Sequence, residues 1–155
     1  MTLMSLDELA DRLPAMSRLI GLDPGSKTVG MALSDLSRMI ASPAEQLKRG
    51  KFTDLAARIE TLIKAEHVGG IVVGLPLNMD GSTGPSAQSA RQFAENLAER
   101  LNIPVALWDE RLSTAAVERT LIEADLSRRR RAELVDKLAA AYILQGALDY
   151  LARRG

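Results

Sequence analysis

Hydrophobic positions along the chain fall into short runs typical of strands, with longer stretches at helical spacing between them. The apolar run at 19–22 ends at Asp23, turn residues follow at 24–27, and residues 28–34 alternate again. Two such runs joined by a turn that contains Pro and Gly predict an antiparallel β-hairpin. Residues 38–46 are also predicted to be extended.

Two further apolar runs predict buried strands. Residues 71–75 (IVVGL) show no alternation, which is typical of a strand buried on both faces of a sheet and usually parallel to its neighbours. The amphipathic stripe at 52–63 predicts a helix before this strand, and the pair indicates a βαβ crossover. A second helix is predicted at 90–101, and the strand at 104–108 that follows ends in two acids.

Both ends of the chain are predicted to be helical. Ser5 and Glu8 have the spacing of a capping box, so a short helix is expected to begin there. We expect residues 1–17 to be a loosely attached extension of a domain that spans 18–155. The stretch from about residue 132 to 153 is apolar nearly all round, which predicts a helix buried against the sheet.

The segment before this last helix carries a run of basic residues. Ser113 or Thr114 is predicted to cap a helix that ends in a break at 125–127. The loop that follows is expected to carry four consecutive arginines: Arg128, Arg129, Arg130 and Arg131. They either form a solvated surface or bind phosphate, because guanidinium groups match the geometry of phosphate oxygens.

Composition narrows the class of protein. A chain of 155 residues predicts one domain. It has no cysteine and one histidine, His67, which excludes disulfides and argues against zinc and Ser-His-Asp chemistry. With zero net charge and 3% aromatic residues, nucleic-acid binding requires a local basic patch, and an aromatic stacking platform is not expected. No apolar run approaches the roughly 20 residues that cross a bilayer, and no signal peptide is apparent, so we expect a cytoplasmic location.

Three acids occupy positions that an apolar element rarely tolerates. Asp23 ends a strand apolar enough to lie mid-sheet, where desolvating its charge is costly. It either caps the following turn or has a partner such as a metal ion. Only one of Asp109 and Glu110 can share a face with Asp23, because adjacent strand residues face opposite sides of a sheet. Asp136 is predicted in the first turn of the last helix, where it either complements the helix dipole or joins the other acids.

Convergence of Asp23, Glu110 and Asp136 would determine the chemistry of the site. Repulsion between three carboxylates must be relieved by protonation or by divalent cations. Magnesium suits such a site, because it takes a few carboxylate ligands and completes its shell with water and substrate phosphate. Two such ions about 3.5–4 Å apart can promote the in-line hydrolysis of a phosphodiester. These residues therefore favour metal-assisted phosphoryl hydrolysis.

Four sequence blocks together resemble the YqgF/RuvX family. They are GLDPGSKTVGMALSD at 21–35, VVGLPLNMDGSTGPSA at 72–87, DERLST at 109–114 and VDKLAAAYILQGALDYL at 135–151. The resemblance runs from residue 18 to about residue 151, and Pro24 and the N-terminal helix are less typical of the family. It implies an α/β fold of the ribonuclease H-like type, in which helices flank a mixed central β-sheet with an antiparallel hairpin and parallel strands.

The resemblance also implies a function. Its catalytic and metal-binding carboxylates correspond here to Asp23, Glu110 and Asp136, and its activity is the trimming of the 5′ end of precursor 16S ribosomal RNA with Mg²⁺ or Mn²⁺. The chain is then expected to be a nuclease of ribosome biogenesis whose partners are nucleic acid and ribosomal particles, with no membrane. In our working hypothesis Asp23 bridges two metal ions and each other acid holds one. Lys27, Asn78 and some of the four arginines bind substrate phosphates.

Three alternatives stay open at this point. The first is a Holliday junction resolvase that acts on branched DNA. The second is a non-catalytic RNA-binding factor of ribosome assembly that keeps the site as a binding surface. The third is an ATPase of the actin and sugar-kinase type, whose phosphate loop also follows a strand with an acid and glycines, although that fold normally needs two such domains.

Overall fold

In a computed structural model, the protein consists of a mixed β-sheet covered by helices. The structure describes residues 2–78, 80–110 and 128–154, and for residues 128–137 it gives only the backbone. Within these ranges the strands are β1 (Leu3–Met4), β2 (Arg18–Pro24), β3 (Thr28–Ser34), β4 (Ala41–Lys48), β5 (Val68–Leu75) and β6 (Val105–Asp109). The helices are α1 (Leu6–Arg12), α2 (Phe52–Ala65), α3 (Pro85–Leu101) and α4 (Arg128–Arg153).

The sheet has the strand order β1-β6-β5-β2-β3-β4. The predicted hairpin is confirmed, since β2 and β3 pair antiparallel, and β4 pairs antiparallel with β3 at the edge of the sheet. The predicted parallel strands are confirmed as well, because β5 pairs parallel with both β2 and β6. The carboxyl ends of β2, β5 and β6 therefore meet at one end of the sheet, where ligands bind in folds of this kind.

Strand alternation gives the sheet two buried faces. Leu22 and Val73 pack with α2 and α3 on one face, in the cluster that contains Phe93. Leu19 and Val72 pack on the other face against α1 and α4. The expectation that the last helix is buried against the sheet is confirmed on this second face. None of the helices in the described ranges combines the length and the hydropathy needed to span a bilayer.

The N-terminal residues are integrated into the fold, and the expectation that they are loosely attached is wrong. Ser5 caps the helix as predicted, because the Glu8 backbone N–H donates to the Ser5 hydroxyl at 3.1 Å. β1 adds to the sheet beside β6, and Leu9 of α1 is completely buried against the α4 face. The Tyr150 hydroxyl of α4 also donates to the Asp7 carboxylate at 3.1 Å. These contacts attach α1 to both the sheet and the last helix.

The last helix begins earlier than the sequence pattern predicts. α4 starts at Arg128 rather than near residue 132, so the four arginines lie in its first turn and not in a loop. Asp136 is consequently about two turns inside the helix. The favourable effect of an acid on the helix dipole fades within the first turn, so the dipole no longer accounts for this residue. The helix expected after Ser113 or Thr114 lies outside the described residues.

The chain between α2 and β5 also differs from the prediction. α2 ends at Ala65, and His67 reverses the chain with a φ of 54°. His67 is exposed to solvent. Gly69 and Gly70 belong to β5, so this strand begins earlier than the apolar run at 71–75 indicates.

α4 packs directly onto the backbone of the central strand at Gly21. A Cβ at this position would lie 2.7 Å from Leu144 Cβ and 3.0 Å from the Ala140 carbonyl oxygen. Leu144 and Ala140 are themselves completely buried. The helix can therefore approach β2 this closely only because residue 21 has no side chain.

We predict that Gly21→Ala destabilises the protein by about 1–3 kcal/mol, because the new methyl group forces α4 away from β2. Gly50→Ala is the matched control, since a Cβ there meets nothing within 4 Å. Both substitutions restrict the unfolded chain to the same extent. Urea unfolding should show a lower free energy of unfolding for Gly21→Ala only. Equal free energies for the two variants would contradict the close packing of α4.

Candidate active site

A cleft of about 380 Å³ opens at the carboxyl ends of the central strands. Its walls come from the turn after β2, Pro76 after β5, Glu110 after β6 and the first turn of α3. The residues that line it are Pro24, Gly25, Ser26, Arg49, Pro76, Pro85, Ser86, Ser89 and Glu110. This is the end of the sheet where the sequence places its candidate acids.

Glu110 lies against the backbone of β5 at Gly74. A Cβ on Gly74 would be 2.5 Å from Glu110 Oε1 and 2.6 Å from Ile143 Cδ1 of α4. Glu110 Oε1 is buried from solvent, although the residue as a whole is half-buried and lines the cleft. Because Ile143 of α4 and Glu110 Oε1 both lie on the side of Gly74 where a Cβ would project, this carboxylate is on the α4 face of the sheet. Asp109, by contrast, is the last residue of β6 and pairs with Leu75.

Asp23 occupies the same face of the sheet, one strand away. Leu22 is in register with Val73, so Asp23 is level with Gly74 in the parallel pair. Gly21, two residues earlier, faces α4, and alternation along the strand gives Asp23 the same side. Asp23 is half-buried and immediately precedes the cleft wall at Pro24. The structure therefore brings Asp23 and Glu110 to adjoining positions around Gly74.

The backbone of α4 carries Asp136 toward this end of the sheet. Ala140 lies over Gly21 in the middle of β2, and further along the helix Leu148 and Leu151 lie beside Leu13, which precedes β2. The helix therefore runs antiparallel to β2, and its earlier residues lie toward the strand's carboxyl end. The side chain of Asp136 is outside the description. No cluster of three acidic or histidine ligands occurs among the described side chains, so the three-carboxylate site stays a prediction.

Of the predicted phosphate-binding residues, those whose side chains are described do not line the cleft. Lys27 is exposed in the hairpin turn, and its carbonyl oxygen accepts a hydrogen bond from the Arg49 backbone N–H at 2.9 Å. Asn78 is exposed and donates its side-chain amide to the Ser82 hydroxyl at 3.0 Å, which holds the loop after β5. The side chains of the four arginines lie outside the description. Phosphate binding by these residues stays a prediction.

Arg49 is a site residue that the sequence patterns do not single out. Its guanidinium donates to the Gly25 carbonyl oxygen at 2.5 Å and to the Ser89 hydroxyl at 2.9 Å. The same group lies 5.4 Å from the centre of the Phe93 ring, a cation–π contact. Arg49 thereby joins the turn after Asp23 to the first turns of α3. The only signal in the sequence is the basic cluster KRGK at 48–51.

Asp35 belongs to the same sequence block as Asp23, at 21–35, and shows that an acid there can have a purely structural role. Its carboxylate accepts hydrogen bonds from the backbone N–H groups of Met39 and Ile40 at 2.8 and 3.0 Å and from the Ser37 hydroxyl. Chiefly the Ile40 N–H, and then the Ser37 hydroxyl, lower the pKa of Asp35 to about 2. This acid holds the loop after β3, at the end of the strand where the chain leaves the sheet away from Asp23.

The described residues fit a divalent metal. Asp23 and Glu110 would supply hard oxygen ligands on one face of the sheet, and the absence of a side chain at Gly74 lets the Glu110 carboxylate lie there. Such ligands are those that Mg²⁺ and Mn²⁺ prefer. A divalent cation would also relieve the repulsion between two neighbouring carboxylates.

Comparison with known proteins determines the family. The family model described as RuvX, Holliday junction resolvase, matches residues 17–150. The chain belongs to the RuvX family. A relative from Gluconacetobacter diazotrophicus is 56% identical over 150 residues, covering 96% of this chain and 97% of its own length. A relative from Paramagnetospirillum magneticum is 56% identical over 149 residues, covering 96% of both chains. Both are provisionally named pre-16S rRNA nuclease.

A solved structure confirms the fold of this RuvX-family chain. Thermus thermophilus RuvC in complex with a Holliday junction substrate aligns with a TM-score of 0.54 at 18% sequence identity. The alignment covers 90% of this chain and 96% of that protein. The ribonuclease H-like architecture implied by the sequence resemblance is therefore confirmed.

We predict that Gly74→Ala and Glu110→Ala are energetically coupled. Gly74→Ala should be destabilising, because the new methyl group collides with the buried Glu110 Oε1. In the Glu110→Ala background this collision is absent, so the same substitution should cost less. A double-mutant cycle by urea unfolding should give a coupling energy of about 0.5–3 kcal/mol. Additive effects would show that Glu110 does not lie against Gly74 in solution.

Proposed function

We propose that this protein is a divalent-metal-dependent nuclease that hydrolyses phosphodiester bonds in structured RNA, and that its substrate is the 5′ end of precursor 16S ribosomal RNA. Membership of the RuvX family and relatives named for this activity support the proposal. The expected setting is the cytoplasm, on precursor ribosomal particles.

The observation that carries the proposal is the placement of Asp23 and Glu110 on one face of the sheet, around Gly74, beside an open cleft. Without a bound cation, two neighbouring carboxylates repel a polyanion such as RNA. A bound divalent cation reverses this, because it neutralises the acids and attracts phosphate. The same arrangement would be difficult to explain in a protein that only binds RNA.

In this proposal Asp23 and Glu110 hold the metal, with Asp136 as the third ligand from α4. When bound, Mg²⁺ or Mn²⁺ supplies activation of a water molecule and stabilisation of the leaving oxygen in phosphodiester hydrolysis. The rigid strand ends hold the two carboxylates in fixed positions, which limits the rearrangement needed during the reaction.

The opposite wall of the cleft can bind the substrate backbone. The first hydrogen bond of α3 joins the Gln88 N–H to the Gly84 carbonyl oxygen, so the N–H groups of Ser86 and Ala87 precede the helical bonding pattern. Backbone N–H groups at a helix N-terminus bind phosphate well. Ser86 lines the cleft together with Arg49. These groups would orient the phosphodiester toward the carboxylates.

Asp23→Asn should abolish metal-dependent cleavage while the fold is kept, because the substitution removes one negative charge without changing the side-chain shape. We expect a loss of at least about 100-fold in rate, as a metal's stabilisation of developing charge amounts to several kcal/mol. Asp35→Asn is the control, because Asp35 belongs to the same sequence block and holds a loop instead. Cleavage of end-labelled precursor RNA with Mg²⁺ or Mn²⁺ measures the rate, and circular dichroism checks the fold.

Unchanged cleavage by folded Asp23→Asn would overturn the proposed metal site. If the unaltered protein binds precursor RNA yet cleaves it with neither metal, the protein is instead a non-catalytic assembly factor.

A second candidate activity is resolution of branched DNA, which the description of the matching family model favours. A four-way DNA junction tested beside precursor RNA distinguishes the two, and preferential cleavage of RNA is the expected result.

Replacement of all four arginines at 128–131 by Gln should weaken RNA binding and flatten its salt dependence. Each lost phosphate contact reduces the slope of log affinity against log salt by about 0.7–0.9, so the loss of four contacts should lower the slope by up to about 3.6. A control with the same change in charge replaces exposed residues outside the cleft: Arg12, Lys64, Arg91 and Arg153. Equal slopes for both variants, measured by filter binding across a salt series, would show that the arginine run is only a solvated surface.

A further inference from the structure

A groove continues from the cleft along the outer side of α3. The cleft shares Arg49 and Ser89 with a second hollow of about 300 Å³. This hollow in turn shares Phe52 and Asn96 with a third of about 420 Å³. The three hollows therefore adjoin one another in a path between α3 and the start of α2.

Five exposed polar residues of α3 line this path and form one helical stripe. They are Ser86, Ser89, Gln92, Asn96 and Arg100, spaced three or four residues apart. The same helix also contributes Pro85, the buried Phe93 and the acid Glu99 to the lining. At a rise of 1.5 Å per residue the stripe is about 21 Å long. That length accommodates several consecutive nucleotides, because a stacked strand advances about 3.4 Å per nucleotide.

Arg49 supplies positive charge where the groove leaves the cleft. A guanidinium carries five N–H donors, and its bonds to Gly25 and Ser89 use two of them. Arg49 makes no ion pair with any carboxylate among the described residues, so its charge is available to an anion. Arg100 lines the far end of the groove, beside the acid Glu99. Basic groups at both ends favour an anionic strand.

The middle of the groove has the chemistry of a nucleobase subsite. The ring of Phe52 is half-buried and packs edge-to-face on Phe93, with the ring centres 6.3 Å apart. Gln92 and Asn96 lie beside it and share a side-chain hydrogen bond of 2.9 Å. A carboxamide offers both a donor and an acceptor, which match the edge of an unpaired base. One aromatic ring supports stacking of a single base rather than an extended platform.

We propose that this groove binds a single-stranded segment of the nucleic acid that flanks the scissile bond. Arg49 binds a backbone phosphate at the exit of the cleft, and one base stacks on Phe52 with its edge toward Gln92 and Asn96. The inference rests on the proposed function, since the cleft must hold a nucleic acid for its extension to do so. It assigns to the protein a preference for substrates that carry an unpaired extension.

The test compares the double variant Gln92→Ala, Asn96→Ala with Gln88→Ala. Gln88 is an exposed carboxamide on the same helix that lines none of the three hollows. Alanine is the better helix former at all three positions, so α3 should stay folded. The probes are fluorescein-labelled hexanucleotides of one mixed sequence, as RNA and as DNA, measured by fluorescence anisotropy without added metal. A cleavage assay uses duplex substrates with and without a six-nucleotide single-stranded extension.

The double variant should bind the better of the two hexanucleotides at least about fivefold more weakly, as expected from the loss of the hydrogen bonds that two carboxamides make to one base. It should lose a similar factor in cleavage of the extended substrate while cleaving the blunt duplex normally. Gln88→Ala should match the unaltered protein in every assay. The RNA and DNA probes show which sugar the groove prefers, and weaker binding by the variant with either one supports the proposal.

Equal binding of both hexanucleotides by the double variant and the Gln88→Ala control would overturn the proposal, as would equal loss on extended and blunt substrates. The proposed function can fail separately. If no substrate is cleaved but hexanucleotide binding still depends on Gln92 and Asn96, the groove stands and the nuclease assignment falls. If cleavage is normal and binding is insensitive to the variant, the nuclease stands and the groove assignment falls.

Discussion

The site depends on one steric condition, which is the absence of a side chain at Gly74. This position lets Glu110 lie on the backbone of β5 with Oε1 buried, and lets Ile143 of α4 pack at the same point. In the neighbouring strand β2, Gly21 also lacks a side chain, which lets Leu144 of α4 pack against it. The packing of the last helix and the placement of the acid are thus two consequences of one close approach between helix and sheet.

Much of this arrangement can be predicted from the sequence, because the local patterns agree with the fold. The apolar runs predict the hairpin and the parallel strands, and an acid at the end of a buried strand is costly enough to demand a reason. Strand periodicity shows that only one of Asp109 and Glu110 can face Asp23, and the structure assigns that place to Glu110. The pattern cannot make the choice itself, because it does not show which face of β6 packs against α4; in the structure Ala106 and Trp108 lie on that face, and Glu110 continues the alternation.

Contacts between distant segments account for what the patterns miss. β1 has two residues, too few for a detectable period, and it exists because it pairs with β6. The start of α4 is obscured by its arginines, since a charged run resembles a loop although Arg is a good helix former. Arg49 becomes a site residue only when β4 brings it beside Gly25 and Ser89. It then joins the turn after Asp23 to α3, so that in our proposal the metal-binding carboxylates and the groove for a flanking strand share one structural element.

The central claim is that Asp23 and Glu110, together with Asp136, hold divalent metal in the cleft. Its most direct test is a crystal of the unaltered protein soaked in Mn²⁺, with anomalous diffraction to locate the ion. The account predicts an anomalous peak near Gly74 within about 2.0–2.3 Å of carboxylate oxygens from Asp23 and Glu110. Manganese bound only at other acids, or a cleft without a peak at saturating Mn²⁺, would contradict it.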